Sequence, residues 1–134
     1  MRFLLDTNAC IAYLTGRSKP LMDRLRKIPP DDVALCSVVK AELFFGARKS
    51  ARATANLARL ASFFGPLVSI PFDDKAAESY GHLRADLDKR GTPIGPNDLL
   101  IASIAVAHGL TIVTRNTKEF GQISAARVED WELP

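Results

Sequence analysis

Three acidic residues stand where the surrounding sequence is apolar. Asp6 breaks off an apolar run in LLDTN, residues 4–8. Glu42 lies in SVVKAELFFGA, where its helical neighbours three and four positions away are Val38, Val39, Phe45 and Gly46. Asp98 follows Pro96 in TPIGPNDLLIASIAVAHG, at the mouth of a helix that is apolar nearly all round. A carboxylate among apolar neighbours is costly unless it is paired, hydrogen bonded or bound to a cation. Each acid alone has an ordinary structural reading. Asp6 can turn a strand into a helix, Glu42 can reach water from the edge of its face, and Asp98 can favour the helix dipole and cap free N–H groups. Three acids brought together from separate segments, however, repel one another, and burial raises that penalty. A divalent cation relieves it. Oxygen donors with no His or Cys nearby suit Mg²⁺, with Mn²⁺ as a substitute, and do not suit zinc. His82 and His108 lack metal-ligand spacing, and neither a serine-elbow motif nor a glycine-rich phosphate loop is present.

The elements that must position these acids alternate along the chain. RFLLD reads as a strand buried on both faces. Asn8 or Thr7 caps a short helix to about Leu14, and Gly16 ends it. PLMDRLRKI places Leu21, Leu25 and Ile28 at helical spacing, and VALCS is a second strand. Helices follow from Val38 to about Lys49 and from Arg52 to Phe64, then a strand, LVSI. A long amphipathic helix spans Asp73 to Arg90, with Ala77, Tyr80, Leu83 and Leu87 on one side. Pro96 opens a helix running to His108. TIVT, a turn of helix and a last strand near ARVED complete the pattern. Alternating strands and helices predict one α/β domain over residues 1–134, a mostly parallel central sheet with helices on both faces. Ligands of such sheets bind beyond the carboxyl ends of the strands, the edge where Asp6 falls.

Composition sets limits on the rest. Nearly half of the 134 residues are hydrophobic and a quarter are charged, which excludes a disordered tail. A net charge of +3 allows an anionic partner without demanding one. Two cysteines, Cys10 and Cys36, are too few for a disulfide framework and read as buried thiols of a reducing cytoplasm. Asp6 and Asn8 interrupt the apolar N-terminus, which argues against a signal peptide. LLIASIAVAHGLTIV contains His108 and Gly109 and reads as a helix followed by a strand, not a membrane span. Arg17, Lys19, Arg24, Arg26, Lys27, Arg48, Lys49 and Arg52 crowd the first half, where they either grip phosphates or form a solvated face. Few aromatic residues are placed to stack splayed bases.

LLDTN, AEL with FGARKS, GTPIGPNDLLIAS, IVTRNTKEF and the closing RVEDW occur in that order over essentially the whole chain. Together they resemble the PIN-domain ribonucleases, specifically the VapC-type toxins of bacterial toxin–antitoxin pairs. The resemblance implies a three-layer PIN-like fold and a metal-dependent endoribonuclease in which Asp6, Glu42 and Asp98 form the acidic, metal-holding cluster. The next family position, often Asp, is Asn116 here. Glu119, a turn later, either supplies the missing charge, directly or through water, or is an exposed acid on a short helix. Thr7, Asn8, Ser37 and Thr114 are candidates for hydrogen bonds behind the acids. Water attack on the phosphodiester would leave a 5′-phosphate and a 3′-hydroxyl. No paired histidines suggest the alternative route to a cyclic phosphate. The family likeness further implies structured RNA as substrate, with tRNA foremost. It also implies a cognate VapB-type antitoxin, a homodimer and larger toxin–antitoxin assemblies. Leu21, Leu25, Leu57, Leu60 and Phe64 are candidates for an antitoxin groove. The competing readings are a non-catalytic RNA-binding or protein-interaction module on the same fold, and a metal-dependent phosphatase. The aspartyl-nucleophile phosphatase wants a second acid two residues after the first, where this chain has Asn8.

Overall fold

The computed structural model describes residues 1–134. Five short strands are β1 (Phe3–Leu5), β2 (Val33–Cys36), β3 (Val68–Ile70), β4 (Thr111–Val113) and β5 (Arg127–Glu129). The helices are α1 (Thr7–Thr15), α2 (Lys19–Lys27), α3 (Ser37–Lys49), α4 (Ala53–Phe64), α5 (Asp74–Arg90), α6 (Pro96–His108) and α7 (Thr117–Phe120), with a 3₁₀ turn at Pro30–Asp32. The strands form one sheet in the order β3-β2-β1-β4-β5, and every pairing is parallel. The expected mostly parallel sheet is thus wholly parallel, with helices on both sides. No helix is long and apolar enough to cross a membrane.

Burial follows position in the sheet. Every residue of β1 and β2 is buried, as strands covered on both faces must be. At the edge, β3 buries only Ile70. Leu4 lies opposite Ala34 on one side and Ile112 on the other. The buried side of α6, with Ile101, Ala102, Ile104 and Ala105 all inaccessible, belongs to the same core. Gly109 closes α6 at φ 66°, a left-handed geometry that favours glycine. Cys10 and Cys36 are buried free thiols.

Two local expectations are corrected. The cap of α1 is neither Asn8 nor Thr7 but Asp6, whose Oδ1 accepts a hydrogen bond from the Ala9 N–H at 2.8 Å. The packed side of α5 is Ala76, Tyr80, Leu83 and Leu87, with Ala77 exposed. Those positions step by four, three and four, which holds one face of a 3.6-residue helix.

The strand order decides where the site lies. From β1 the chain moves outward to β2 and β3, then returns to β4 on the other side of β1. The carboxyl ends of β1 and β4 therefore flank a topological switch point, where connections diverge and leave a crevice. Asp6 and Thr114 are the residues that follow these two strands, and the Asp6 N–H donates to the Val113 carbonyl at 3.1 Å.

Candidate active site

Asp6 is the most enclosed of the acids, with 2 % of its surface exposed. Burial pushes its carboxyl above the usual range, against the hydrogen bonds from Thr114 and the Ala9 amide, and Glu132 and Glu42 add repulsion.

Glu42 enters from α3. Its Oε1 accepts a 2.6 Å hydrogen bond from the Thr7 hydroxyl, which ties the second turn of α3 to the first residue of α1. The buried line of α3 is Val39, Leu43 and Ala47. Glu42 is half-buried beside that line, while Phe45 and Gly46, counted as apolar neighbours from the sequence, face solvent. Asn8 and Ser37 are exposed and make no side-chain hydrogen bond to the acids.

Asp98 occupies the third position of α6, one turn beyond Gly95. It makes no side-chain hydrogen bond to its helix, so the structural reading keeps only the interaction of a first-turn acid with the helix dipole. Its carboxyl is pushed up to about 6, by burial first and then by the charges of Glu119, Asp6 and Glu42. Asp98 therefore feels all three other acids, and four segments meet at this crevice.

Glu119 is half-buried, not an exposed acid on a short helix. Its Oε1 accepts from the Gly95 N–H and its Oε2 from the Asn116 side-chain amide, both at 2.6 Å. A Cβ placed on Gly95 would meet Glu119 Oε1 at 3.4 Å and Asp98 Oδ2 at 3.7 Å, which shows how closely the two carboxylates flank that residue. The Asn116 N–H donates to Thr114 Oγ1 at 2.9 Å. Glu119 thus braces the start of α6 against the loop after β4, and Asn116 is held at the same rim.

Near the site, Glu132 escaped sequence reasoning, and Trp131 was read only as part of the closing RVEDW block. Glu132 has a largely buried side chain, contacts Arg17 at 3.2 Å and Arg115 at 3.8 Å, and repels Asp6. Trp131 packs edge-on against Phe3 and anchors the chain end that carries Glu132. Neither belongs to a periodic pattern; the pairing of a late Trp with the N-terminal strand is a tertiary fact. Several of the early basic residues are committed elsewhere: Arg17 to Glu132, Lys19 to Asp23 and Arg24 to Glu129.

The donor set consists of hard oxygen ligands, with no thiol or imidazole among them, and its charges repel. That chemistry fits a hard divalent cation. No three of the acids converge on one point at coordination distance in this arrangement, so binding would require side-chain adjustment.

The raised carboxyl of Asp98 has a thermodynamic consequence. Between the ordinary aspartate value of about 4 and about 6, the folded state holds a proton that the unfolded chain has released. Stability contributed by this group must therefore rise as pH falls through that window. In chelator, thermal melting across the window should show this rise in the wild type, and Asp98→Asn should reduce it. Identical slopes for the two proteins would contradict the burial and repulsion assigned to Asp98.

The fold has counterparts among known proteins. The PIN domain family model matches residues 3–126. The tRNA(fMet)-specific endonuclease VapC of Salmonella typhimurium is 37% identical over 131 residues, covering 98% of each chain. The ribonuclease VapC2 of Rickettsia felis is 38% identical over 133 residues, covering 98% of this chain and 99% of its own. The crystal structure of VapBC2 from Rickettsia felis, bound to a promoter DNA fragment, contains a chain that superposes with a TM-score of 0.91 at 37% identity. That match covers 98% of this chain and 99% of the other. With the family model spanning most of the sequence and full-length relatives above 30% identity, this chain belongs to the PIN-domain family and, within it, to the VapC-type ribonuclease toxins.

Proposed function

We propose that residues 1–134 form one domain acting as a Mg²⁺-dependent endoribonuclease in the cytoplasm, with Mn²⁺ able to replace Mg²⁺. What supports this reading is the mutual repulsion of acids from separate segments beyond the β1–β4 switch point, where Asp98 feels the charges of Glu119, Asp6 and Glu42. Asp6, Asp98 and Glu42 would hold the cation, with Glu119 a further oxygen donor at the rim. A bound divalent cation lowers the pKa of water and offsets charge developing on the phosphate. The chain's own residues do the positioning. Thr7 fixes one oxygen of Glu42, the Ala9 amide fixes one oxygen of Asp6, and Glu119 holds the Asn116 side-chain amide. One carboxylate orients the attacking water, and in-line attack releases a 3′-hydroxyl and a 5′-phosphate.

The relative from Salmonella is named for tRNA cleavage, which supports tRNA as the substrate class here. Incubation of the purified, inhibitor-free protein with total RNA, in Mg²⁺ or in EDTA, tests the proposal. Cleavage only in Mg²⁺ is the expected result; no cleavage under any metal condition would favour a non-catalytic RNA-binding or protein-interaction module.

The solved VapBC complexes support a cognate VapB-type antitoxin as partner in a larger assembly, and the family likeness further implies a toxin homodimer. A cavity of about 550 Å³ between α2 and α4 is lined by Leu25, Ile28, Phe63 and Leu67. A second, of about 280 Å³, is lined by Leu60, Ala47, Gly46 and Glu42. Both include Leu14 and Arg59, so an apolar groove leads to the acidic site. Of the five groove residues expected from sequence, Leu25 and Leu60 line these cavities, Leu21 is fully buried core, and Leu57 and Phe64 pack beside them. An apolar helix face of the antitoxin fits this groove. Leu25→Glu should weaken antitoxin binding by about tenfold or more while sparing RNA cleavage, as read by calorimetry and by nuclease assay. Unchanged affinity, or simple unfolding, would refute the groove assignment.

A further inference from the structure

The face of α3 that carries Glu42 continues outward. Val38, Glu42, Phe45 and Lys49 recur at four, three and four residues, which places them along one side of the helix. Phe45 is 68 % exposed, the most exposed of the large hydrophobic residues. Its neighbour Phe44 leans edge-on against Phe64 of α4, with ring centres 5.5 Å apart, and so takes part in packing. Phe45 instead has the Lys49 ammonium 5.8 Å from its ring centre. Lys49 and the adjacent Arg48 are exposed and lack the carboxylate partners that Arg17, Lys19 and Arg24 have found. The apolar groove meets this face of α3 at Glu42 and otherwise runs past Leu43, Gly46 and Ala47, without including Phe45 or Lys49.

One helical turn separates Phe45 from Glu42, so their Cβ atoms lie about 5–6 Å apart. A solvent-facing aromatic ring at the rim of an acidic nuclease crevice, with Lys49 against it and Arg48 adjacent in the chain, both without a carboxylate partner, matches the repeating chemistry of a single RNA strand. Each nucleotide offers one flat base and one phosphate. We propose that Phe45 is a base-stacking residue, receiving an unstacked base next to the cleaved bond while Lys49 and Arg48 hold the adjoining backbone phosphates. Every base has a π-face, so this contact grips RNA without reading base identity. It selects loops, whose bases are free to splay, over duplex. The inference rests on the endoribonuclease reading, and it revises the expectation that few aromatic residues are placed to stack bases.

Steady-state cleavage of bulk tRNA tests it. Phe45→Ala should raise KM about 5- to 100-fold with little change in kcat, and should melt like the parent because the ring faces solvent. Phe45→Trp should keep the parental KM. Trp131 is the only native tryptophan and is buried, so the new indole reports directly. In an Asp98→Asn background, which binds without turnover, its emission should be quenched by tRNA. An unchanged KM for Phe45→Ala, with the wild type active, would overturn the proposal. So would conversion of a dimer to a monomer at unchanged KM, which would make the ring a subunit contact. A wild type that cleaves no RNA would instead overturn the ribonuclease reading on which the proposal rests.

Discussion

Asp98→Asn is expected to abolish detectable RNA cleavage while leaving the metal-free protein as stable as the parent or slightly more so. The variant keeps the shape of the side chain and its polarity at the start of α6. No capping bond is lost, because Asp98 makes none. What disappears is a charge that burial and three neighbouring acids disfavour. The opposing effect is loss of a negative charge near a helix N-terminus, typically about 0.3–1 kcal/mol. Relief of repulsion among partly buried acids matches or exceeds that. The variant should also gain less thermal stability from added Mg²⁺, since stabilisation by a ligand follows its affinity for the folded state. Melting both proteins across a Mg²⁺ series, beside a nuclease assay, reads all three effects. A variant strongly destabilised without metal, yet responding normally to Mg²⁺, would show Asp98 to be a structural residue.

Asp6 caps α1 and, in the proposed site, also holds the cation; a pair of substitutions separates the two duties. Asp6→Asn should lose cleavage but keep the cap of α1, because an Asn side-chain oxygen accepts from the Ala9 amide as well as an Asp oxygen does. Asp6→Ala should lose cleavage and the cap together, at about 0.5–2 kcal/mol of stability. Removing the buried charge offsets part of that cost, so the informative quantity is the difference between the two variants. Chemical denaturation measures it. If Asn and Ala destabilise equally, the cap is not held by this oxygen. If Asp6→Asn retains activity, the acid belongs to the helix alone.

Much of the fold was legible because its signals are local. Gly16 and Gly109 stop helices, Pro96 starts one, and the non-alternating strands β1 and β2 announce burial on both faces. Asp6 and Asp98 could be placed at a single sheet edge because a parallel sheet puts all strand ends there. What sequence reasoning missed depends on geometry between elements. On the packed side of α5, Ala76 stands where Ala77 was expected, since the two are chemically identical and only packing selects between them. Glu119 could not be distinguished from a surface acid without knowing that the loop before α6 folds against it. Phe45 was grouped with the apolar surroundings of Glu42, whereas the buried line of α3 runs one residue further on, through Val39, Leu43 and Ala47. Function and family were readable from blocks of residues in order; the division of labour among those residues required the structure.

The chemistry of the cut ends tests the central claim most directly. The purified protein is incubated with bulk tRNA in Mg²⁺, and the termini of the fragments are identified. An acidic, cation-holding crevice that directs water at phosphorus leaves 5′-phosphates and 3′-hydroxyls, and leaves none when EDTA replaces Mg²⁺. Fragments ending in 2′,3′-cyclic phosphates, formed equally well in EDTA, would show that the ribose hydroxyl is the nucleophile and that the cluster of Asp6, Glu42 and Asp98 is not the engine of cleavage.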